Sequence, residues 1–289
     1  MLKIGNPKTF EKAKILFYGR PGTGKTVLVG SADDYADTSK MLFLSVESGE
    51  SVLKKHYPNV KVVSIGDYKD FNEAYLFIRN HAQLLEMYRS TESSEEQKKI
   101  AKALHDLEYN TFGDNPDEPT VYKSVGIDTL TEVQQYSMSF VKGEDLKSKS
   151  LLDISTNKIS DWNHNNESMN NLIRMFRNLP IHVIMASHVK EVQNKENGEI
   201  SMIPMLSGKL ASNLAGFFDI VGYMDTFNLD EQARLVENGV LDEVKEFCNV
   251  AYFSPNQVKC DGKSRYPLSS YMLLPTIEKI VNEIKGGLE

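Results

Sequence analysis

Short apolar runs, bounded by charged or turn-forming residues, recur along the chain and are separated by longer stretches of mixed polarity. A run of about four to eight apolar residues is typical of a buried strand, and stretches such as Thr129–Val141 and Asp161–Asn178 are typical of helices. Their alternation predicts an α/β fold with a mostly parallel sheet and helices on both faces. The predicted strands are Ala13–Tyr18, Met41–Val46, Val60–Ile65, Val121–Ile127, Ile181–Ala186 and Phe218–Met224.

The region Asp70–Asn110 interrupts this alternation, because it is long, charged and helical throughout. Ser93 and Ser94, followed three residues later by Glu96 and Gln97, predict a capping box that opens a second helix. We therefore expect residues 70–110 to be a helical insertion within one domain that spans residues 1–289. The insertion either packs at the sheet edge or clamps a partner. The stripe on its first helix is Phe77, His81, Leu84, Leu85 and Tyr88.

The last third of the chain has the pattern of antiparallel strands. Asn197-Gly198, within Val189–Ile203, predicts a β-hairpin, and Asn238-Gly239, within Gln232–Phe253, predicts a second one. We expect these strands to extend the sheet toward the C-terminus, where Thr276–Lys285 predicts a short helix.

Composition adds few constraints. The net charge of −7 and the 25% of charged residues are those of an ordinary globular protein and show no global affinity for nucleic acid. The two cysteines, Cys248 and Cys260, do not predict a disulfide framework or a zinc site. No apolar stretch approaches the roughly 18 residues of a membrane span, so we expect a soluble, cytoplasmic protein without a membrane partner.

One short segment carries specific chemistry. The sequence GRPGTGKT, from Gly19 to Thr26, fits the phosphate-binding P-loop pattern and lies between a predicted strand and a predicted helix. Backbone N–H groups of such a loop surround phosphate oxygens, Lys25 reaches the β- and γ-phosphates, and the Thr26 hydroxyl ligates Mg²⁺. The residues predicted to contact the nucleotide are Gly19, Arg20, Pro21, Gly22, Thr23, Gly24, Lys25, Thr26 and Val27.

A P-loop also needs acids for the metal ion and for the attacking water. Asp128 ends a buried strand at the crevice edge and is the predicted acid on the metal side, with Asp219 as its competitor. Thr129 follows Asp128, where proteins of the AAA+ class carry their catalytic glutamate. The predicted base is therefore Glu47, at the end of the next strand after the loop, with Glu50 as a rival.

This order of motifs resembles the RecA/KaiC/DnaB-type ATPases, and more closely the phage-encoded RecA-like proteins that include Sak-type single-strand annealing and recombination ATPases. The resemblance extends from Gly19 to Pro267 through the segments GRPGTGKT, LSVESG, VGIDTLTE, MASHVKE, PMLSGKLASNLAGFFDIVGYM and GKSRYP. It implies a RecA-like core, hydrolysis of ATP with Mg²⁺, a ring or filament of identical subunits, and action on single-stranded DNA in the host cytoplasm.

The resemblance also implies roles for particular residues. His188, after the fifth predicted strand, lies where RecA-like proteins place a polar γ-phosphate sensor, although RecA has glutamine there. Lys263 and Arg265 match the K-x-R finger that KaiC-type subunits insert into a neighbour's site. The DNA-facing loops would be Lys142–Lys158 and Lys190–Lys209, and the aromatic side chains that could stack on bases are Trp162 and His164.

Two other functions are compatible with the same motifs. One is a KaiC-like scaffold or switch that responds to nucleotide without binding DNA, and the other is a small-molecule kinase. The kinase is disfavoured because Asp70–Asn110 carries only Arg79 and Arg89 where a kinase lid is arginine-rich. A GTPase is disfavoured because neither Asn-Lys pair continues to the aspartate of N-K-x-D.

Overall fold

The computed structural model describes residues 12–113, 120–144, 156–207, 209–255 and 258–288. The strands in chain order are β1 (Lys14–Gly19), β2 (Met41–Ser45), β3 (Lys61–Ser64), β4 (Ser124–Asp128), β5 (His182–Gln193), β6 (Ile200–Pro204), β7 (Ile220–Thr226), β8 (Asn249–Tyr252), β9 (Lys263–Ser264) and β10 (Tyr271–Leu273). The helices are α1 (Lys25–Gly30), α2 (Glu50–His56), α3 (Tyr68–Ser90), α4 (Ser94–Phe112), α5 (Leu130–Val141), α6 (Ile159–Arg177), α7 (Lys209–Leu214), α8 (Leu229–Glu237) and α9 (Ile277–Gly286).

The strands form one sheet in the order β10-β8-β7-β1-β5-β4-β2-β3, with β6 paired to β5 and β9 paired to β7. From β7 to β3 the neighbours are parallel, whereas β8, β9 and β10 add antiparallel pairs. The α/β, RecA-like fold class is therefore confirmed, including its antiparallel extension. Because β5 lies between β1 and β4, the loop after β1 and the acid that ends β4 face the same crevice.

Apolar side chains cover both faces of this sheet, because successive strand residues point to opposite sides. Leu16 and Tyr18 of β1 belong to a cluster with apolar residues of α3, α5 and α6. Ile15 and Phe17 belong to a second cluster with residues of α1 and α9. The central strands are thus buried on both faces, which is why they are near-continuous apolar runs in the sequence.

Helices α3 and α4 lie within the region predicted to be helical, and α4 contacts the sheet at strand β3. The Ser93 side chain accepts a bond from the Glu96 backbone N–H at 3.4 Å and caps α4, which is one half of the predicted capping box, whereas the Glu96 carboxylate accepts from the Thr91 hydroxyl instead. Glu108 of α4 is fully buried and accepts bonds from Lys61 of β3 at 3.1 Å and from the Tyr122 hydroxyl at 3.0 Å. The pair is therefore fastened to the sheet beside its β3 edge. Of the predicted stripe, Phe77, His81 and Leu85 are buried, whereas Tyr88 is exposed.

Two predictions for the C-terminal part had different outcomes. The hairpin at Asn197-Gly198 is confirmed, because β5 runs beyond its predicted end and pairs antiparallel with β6. The hairpin at Asn238-Gly239 is wrong, since the segment before it is helix α8. Asn228 and Glu231 form a capping box at its start, and Gly239, with φ +68°, follows its C-cap. A Gly just past a helix end takes the same left-handed conformation as a hairpin turn, so the dipeptide alone did not discriminate.

Among the residues described, no helix combines the length and apolarity needed to cross a membrane.

Candidate functional site

The loop between β1 and α1 has the conformation that a phosphate-binding loop requires. Gly22 and Gly24 both have φ +81°, in the left-handed region that favours glycine. Lys25 is buried and its Nζ donates to the carbonyl oxygens of Gly19 at 3.0 Å and Arg20 at 2.9 Å, so the ammonium group lies inside the loop. Burial lowers the pKa of Lys25, and the charges of Asp128 and Glu47 oppose that shift. The structure thus brings the predicted lysine and the predicted acids together.

Asp128 and Thr26 supply adjacent oxygen atoms beside this loop. The Thr26 hydroxyl donates to Asp128 Oδ2 at 2.6 Å, while Asp128 Oδ1 is buried and has no hydrogen-bond partner. Burial raises the pKa of Asp128, the charge of Glu47 raises it further, and the Thr26 bond opposes the rise. A divalent cation would supply the missing partner, and hydroxyl and carboxylate oxygens are the ligands that Mg²⁺ prefers. The residues present therefore fit the metal that the P-loop implies.

The competing acid, Asp219, lies elsewhere. It precedes β7 and so lies near the amino ends of the parallel strands, away from the P-loop. Its carboxylate accepts from the Lys14 backbone N–H at 3.1 Å and from Arg265 at 2.9 Å. The structure thus brings Asp128, and not Asp219, to the P-loop.

Glu47 is held between two donors next to Asp128. The Thr129 hydroxyl donates to Glu47 Oε1, and His188 Nε2 lies 2.7 Å from the same oxygen. Burial alone would raise the pKa of Glu47, but the contacts with His188 and Thr129 and the nearby charge of Lys25 outweigh it and leave the pKa below its usual value. Glu47 is therefore an ionised carboxylate at neutral pH. The rival acid, Glu50, accepts instead from the Ser45 hydroxyl at 2.6 Å.

The predicted finger residues lie far from this constellation. Lys263 pairs with Val221 near the start of β7, whereas the end of β1 pairs with Met224. Lys263 Nζ donates to the carbonyl oxygens of Ala215 and Phe218, and Arg265 forms its ion pair with Asp219. Val221 and Met224 are three residues apart along β7, which corresponds to about 10 Å. These cations therefore lie toward the amino ends of the strands, whereas the P-loop lies at the carboxyl ends. A contribution to catalysis could only come from a neighbouring subunit, which stays a prediction.

The predicted DNA loops are only partly within the described residues. Residues 145–155 of Lys142–Lys158 lie outside them, and Lys142 forms an ion pair with Glu144 at 2.6 Å. In Lys190–Lys209, the Lys190 Nζ donates to the Leu206 carbonyl at 2.8 Å. Trp162 is half-buried and His164 exposed on the first turns of α6. Lys142 and Lys190 therefore both have partners in their own chain.

Three residues beside the site escaped the sequence reasoning. The hydroxyl oxygen of Thr131 on α5 accepts from the His188 backbone N–H at 3.0 Å and so fixes the start of the strand extension. Phe247 and Asn249, before and at the start of β8, lie against Gly24. A Cβ built on Gly24 would be 2.3 Å from Asn249 Nδ2 and 3.4 Å from Phe247 Cε1. The sequence carried no signal for Thr131 or for Phe247, because each contacts a segment that is distant along the chain.

Comparison with known proteins gives one family match and two similar structures. A family model described as AAA domain matches residues 11–266. The sequence matches no curated protein. Among solved structures, the chain is similar to a prototypical ATPase from the type III secretion system of pathogenic bacteria, with 11% identity, a TM-score of 0.40 and coverage of 78% of this chain and 53% of that one. It is also similar to the ATPase EscN from the type III secretion system of enteropathogenic E. coli, with 12% identity, a TM-score of 0.36 and coverage of 79% and 45%. The chain thus spans about half the length of these two structures.

Proposed function

The chain belongs to the AAA domain family and is a P-loop ATPase, and from that premise we propose that Glu47 is the base that activates water for ATP hydrolysis. The observation that carries this proposal is the position of Glu47. Its Oε1 is held by Thr129 and His188, next to the metal-side acid Asp128 and the P-loop lysine.

The division of labour follows from the contacts. Lys25, placed inside the loop, binds the phosphate chain and balances its charge as the terminal phosphoryl group leaves. Both contacts to Glu47 end on Oε1, so Oε2 is the oxygen that accepts a proton from the attacking water. His188 orients that carboxylate and places a polar group at the γ-phosphate end. Thr26 and Asp128 would hold Mg²⁺, which neutralises phosphate charge when bound.

The nucleotide assignment is tested with Lys25→Ala. We expect ATP binding and turnover to be lost while the melting temperature changes little, because the loop keeps its glycines. Lys54→Ala, on the exposed side of α2, is the matched control and should behave as wild type. Unchanged hydrolysis in Lys25→Ala would refute the assignment.

We further propose that the ATPase acts as an oligomer on single-stranded DNA, in phage recombination or annealing. Its support is the sequence resemblance from Gly19 to Pro267 to the phage-encoded RecA-like proteins. In such an assembly Lys263 and Arg265 would reach a neighbour's γ-phosphate. Exchanging both for alanine should then lower turnover in the assembly without weakening ATP binding to an isolated subunit. Turnover at the wild-type level would refute the proposed role of Lys263 and Arg265.

One observation favours the DNA-independent switch as a second candidate. Lys142 and Lys190, one lysine from each candidate loop, both contact groups of their own chain, and the net charge is −7. The two candidates differ in salt-dependent binding of a labelled single-stranded oligonucleotide, measured with and without ATP. Binding that weakens steeply with salt supports the DNA role, and no binding at low salt supports the switch.

A further inference from the structure

The base end of the nucleotide has no residue assigned to it so far. Glu47, Asp128 and His188 follow or belong to β2, β4 and β5, which lie on one side of β1. They define where the terminal phosphate must be. A nucleoside triphosphate carries its base at the other end of the phosphate chain, so the base leaves the loop on the opposite side of β1, toward β7 and β8.

Phe247 lies on that side and is only partly covered. Its segment is fixed to the sheet, because the Phe227 backbone N–H donates to the Cys248 carbonyl at 2.9 Å and Asn249 pairs with Thr226 of β7. Phe247 is 48% exposed, so its ring is accessible to a ligand beside the loop.

The loop itself is shaped for these two side chains. At Gly24 a side chain would collide with Asn249 Nδ2, so the glycine permits the close approach. Asn249 Nδ2 donates to the Thr23 carbonyl oxygen at 3.4 Å, a long bond that ties β8 to the loop without using the full donor capacity of the amide. The phenyl ring and the phosphate-binding glycines are thus held in one rigid unit.

We propose that Phe247 is the platform on which the nucleotide base stacks, and that Asn249 positions this platform against the P-loop. The inference rests on the proposed ATP binding. Stacking on one exposed ring favours the larger π-surface of a purine over a pyrimidine. The residue therefore contributes affinity for the base of ATP and nothing for its phosphates.

The test compares ATP with inorganic tripolyphosphate, which has the phosphate chain but no base. By calorimetry, Phe247→Ala should bind ATP about five- to tenfold more weakly and tripolyphosphate as wild type does, since loss of a base–aromatic stack costs this much or more. Phe140→Ala is the matched control, because that ring is 51% exposed but lies at the end of α5. Equal ATP affinity in Phe247→Ala and wild type overturns the inference, as does equal weakening of both ligands.

A second variant reports stacking directly. Trp162 is the only tryptophan, so Phe247→Trp in a Trp162→Phe background gives a single fluorophore at the proposed platform. ATP should change its emission and tripolyphosphate should not, and identical responses overturn the inference. If the wild-type protein binds neither ligand, the proposed ATPase function fails as well. If the wild-type protein binds both ATP and tripolyphosphate but the Phe247 variants bind ATP equally well, the stacking platform is refuted while the ATPase function is not.

Discussion

Replacing Glu47 by glutamine removes proton acceptance and the negative charge while keeping the size and the contacts of the side chain. The amide oxygen of glutamine occupies the position of Oε1 and still accepts from the Thr129 hydroxyl and from His188 Nε2. The amide nitrogen takes the position of Oε2 and cannot accept a proton. The variant therefore keeps the geometry and removes the proposed chemistry.

The size of the effect follows from this retained geometry. General-base catalysis contributes about 10²- to 10⁴-fold, and with the water still positioned we expect kcat to fall by about 100- to 1000-fold, or roughly 3–4 kcal/mol of barrier. ATP affinity should be unchanged or higher, because the negative charge of Glu47, which lies near the phosphate site and acts on Lys25, is removed, while Asp128 still acts on that lysine. The loss appears in kcat and not in binding.

The assay is phosphate release under saturating ATP, with ATP affinity measured separately at low temperature. The control is Glu50→Gln, which alters the rival acid that accepts from Ser45 and should keep kcat within about threefold of wild type. If Glu47→Gln retains wild-type turnover, or if Glu50→Gln is the inactive variant, the reasoning from the His188 and Thr129 contacts is refuted.

Three further perturbations have defined signs. In the wild type the contact with His188 lowers the pKa of Glu47, so its loss in His188→Ala should raise that pKa and move the acid limb of the kcat–pH profile to higher pH. An unmoved acid limb would contradict this role of His188. Glu108→Ala should lower the free energy of unfolding by roughly 3 kcal/mol, measured in urea, because it removes a fully buried carboxylate that accepts hydrogen bonds from Lys61, the Thr120 backbone N–H and Tyr122. Glu95→Ala, which removes an exposed ion pair with Lys99, should cost under about 0.5 kcal/mol. Burial lowers the pKa of Lys14 to about 8 from 10.5. The unfolded chain therefore binds more protons above that pH, and from about pH 7 to about pH 9.5 wild type should gain about 2 kcal/mol of stability relative to Lys14→Met; a flat difference would contradict it.

The parts of the site that could be predicted are those set by local sequence. The parallel strands of the sheet are apolar runs in the sequence, and in a parallel sheet the carboxyl ends of the strands meet at one edge. The P-loop lysine, Glu47 and Asp128 each stand at such an end, so their convergence follows without knowing the strand order. His188 follows from the same rule, because it lies within β5 just past the buried run.

Thr131 could not be assigned from sequence, because its role depends on the pairing of two distant elements. It lies on α5, one turn after the acid of β4, and its contact with the His188 backbone requires β5 to run directly beneath that helix. The sheet order supplies this neighbour, and a single sequence does not contain it. The role of Lys263 and Arg265 stays a prediction for a related reason: the local motif is intact, but β9 pairs at the far end of β7, so only a neighbouring subunit could bring these side chains to a γ-phosphate.

The misassigned turn at Asn238-Gly239 explains why the base side of the site was invisible. A hairpin there would have put the segment before β8 into a strand, with Phe247 on a sheet face and no reason to approach the loop. With α8 in its place, the chain returns through an irregular segment and enters β8 beside Thr226, next to the end of β1. The approach of Phe247 to Gly24 therefore depends on the path of the chain after α8, a helix whose start is capped by Asn228 and Glu231. The residues that hold the phosphates can be predicted from a local motif, whereas the residue proposed to hold the base depends on the path of the chain between α8 and β8.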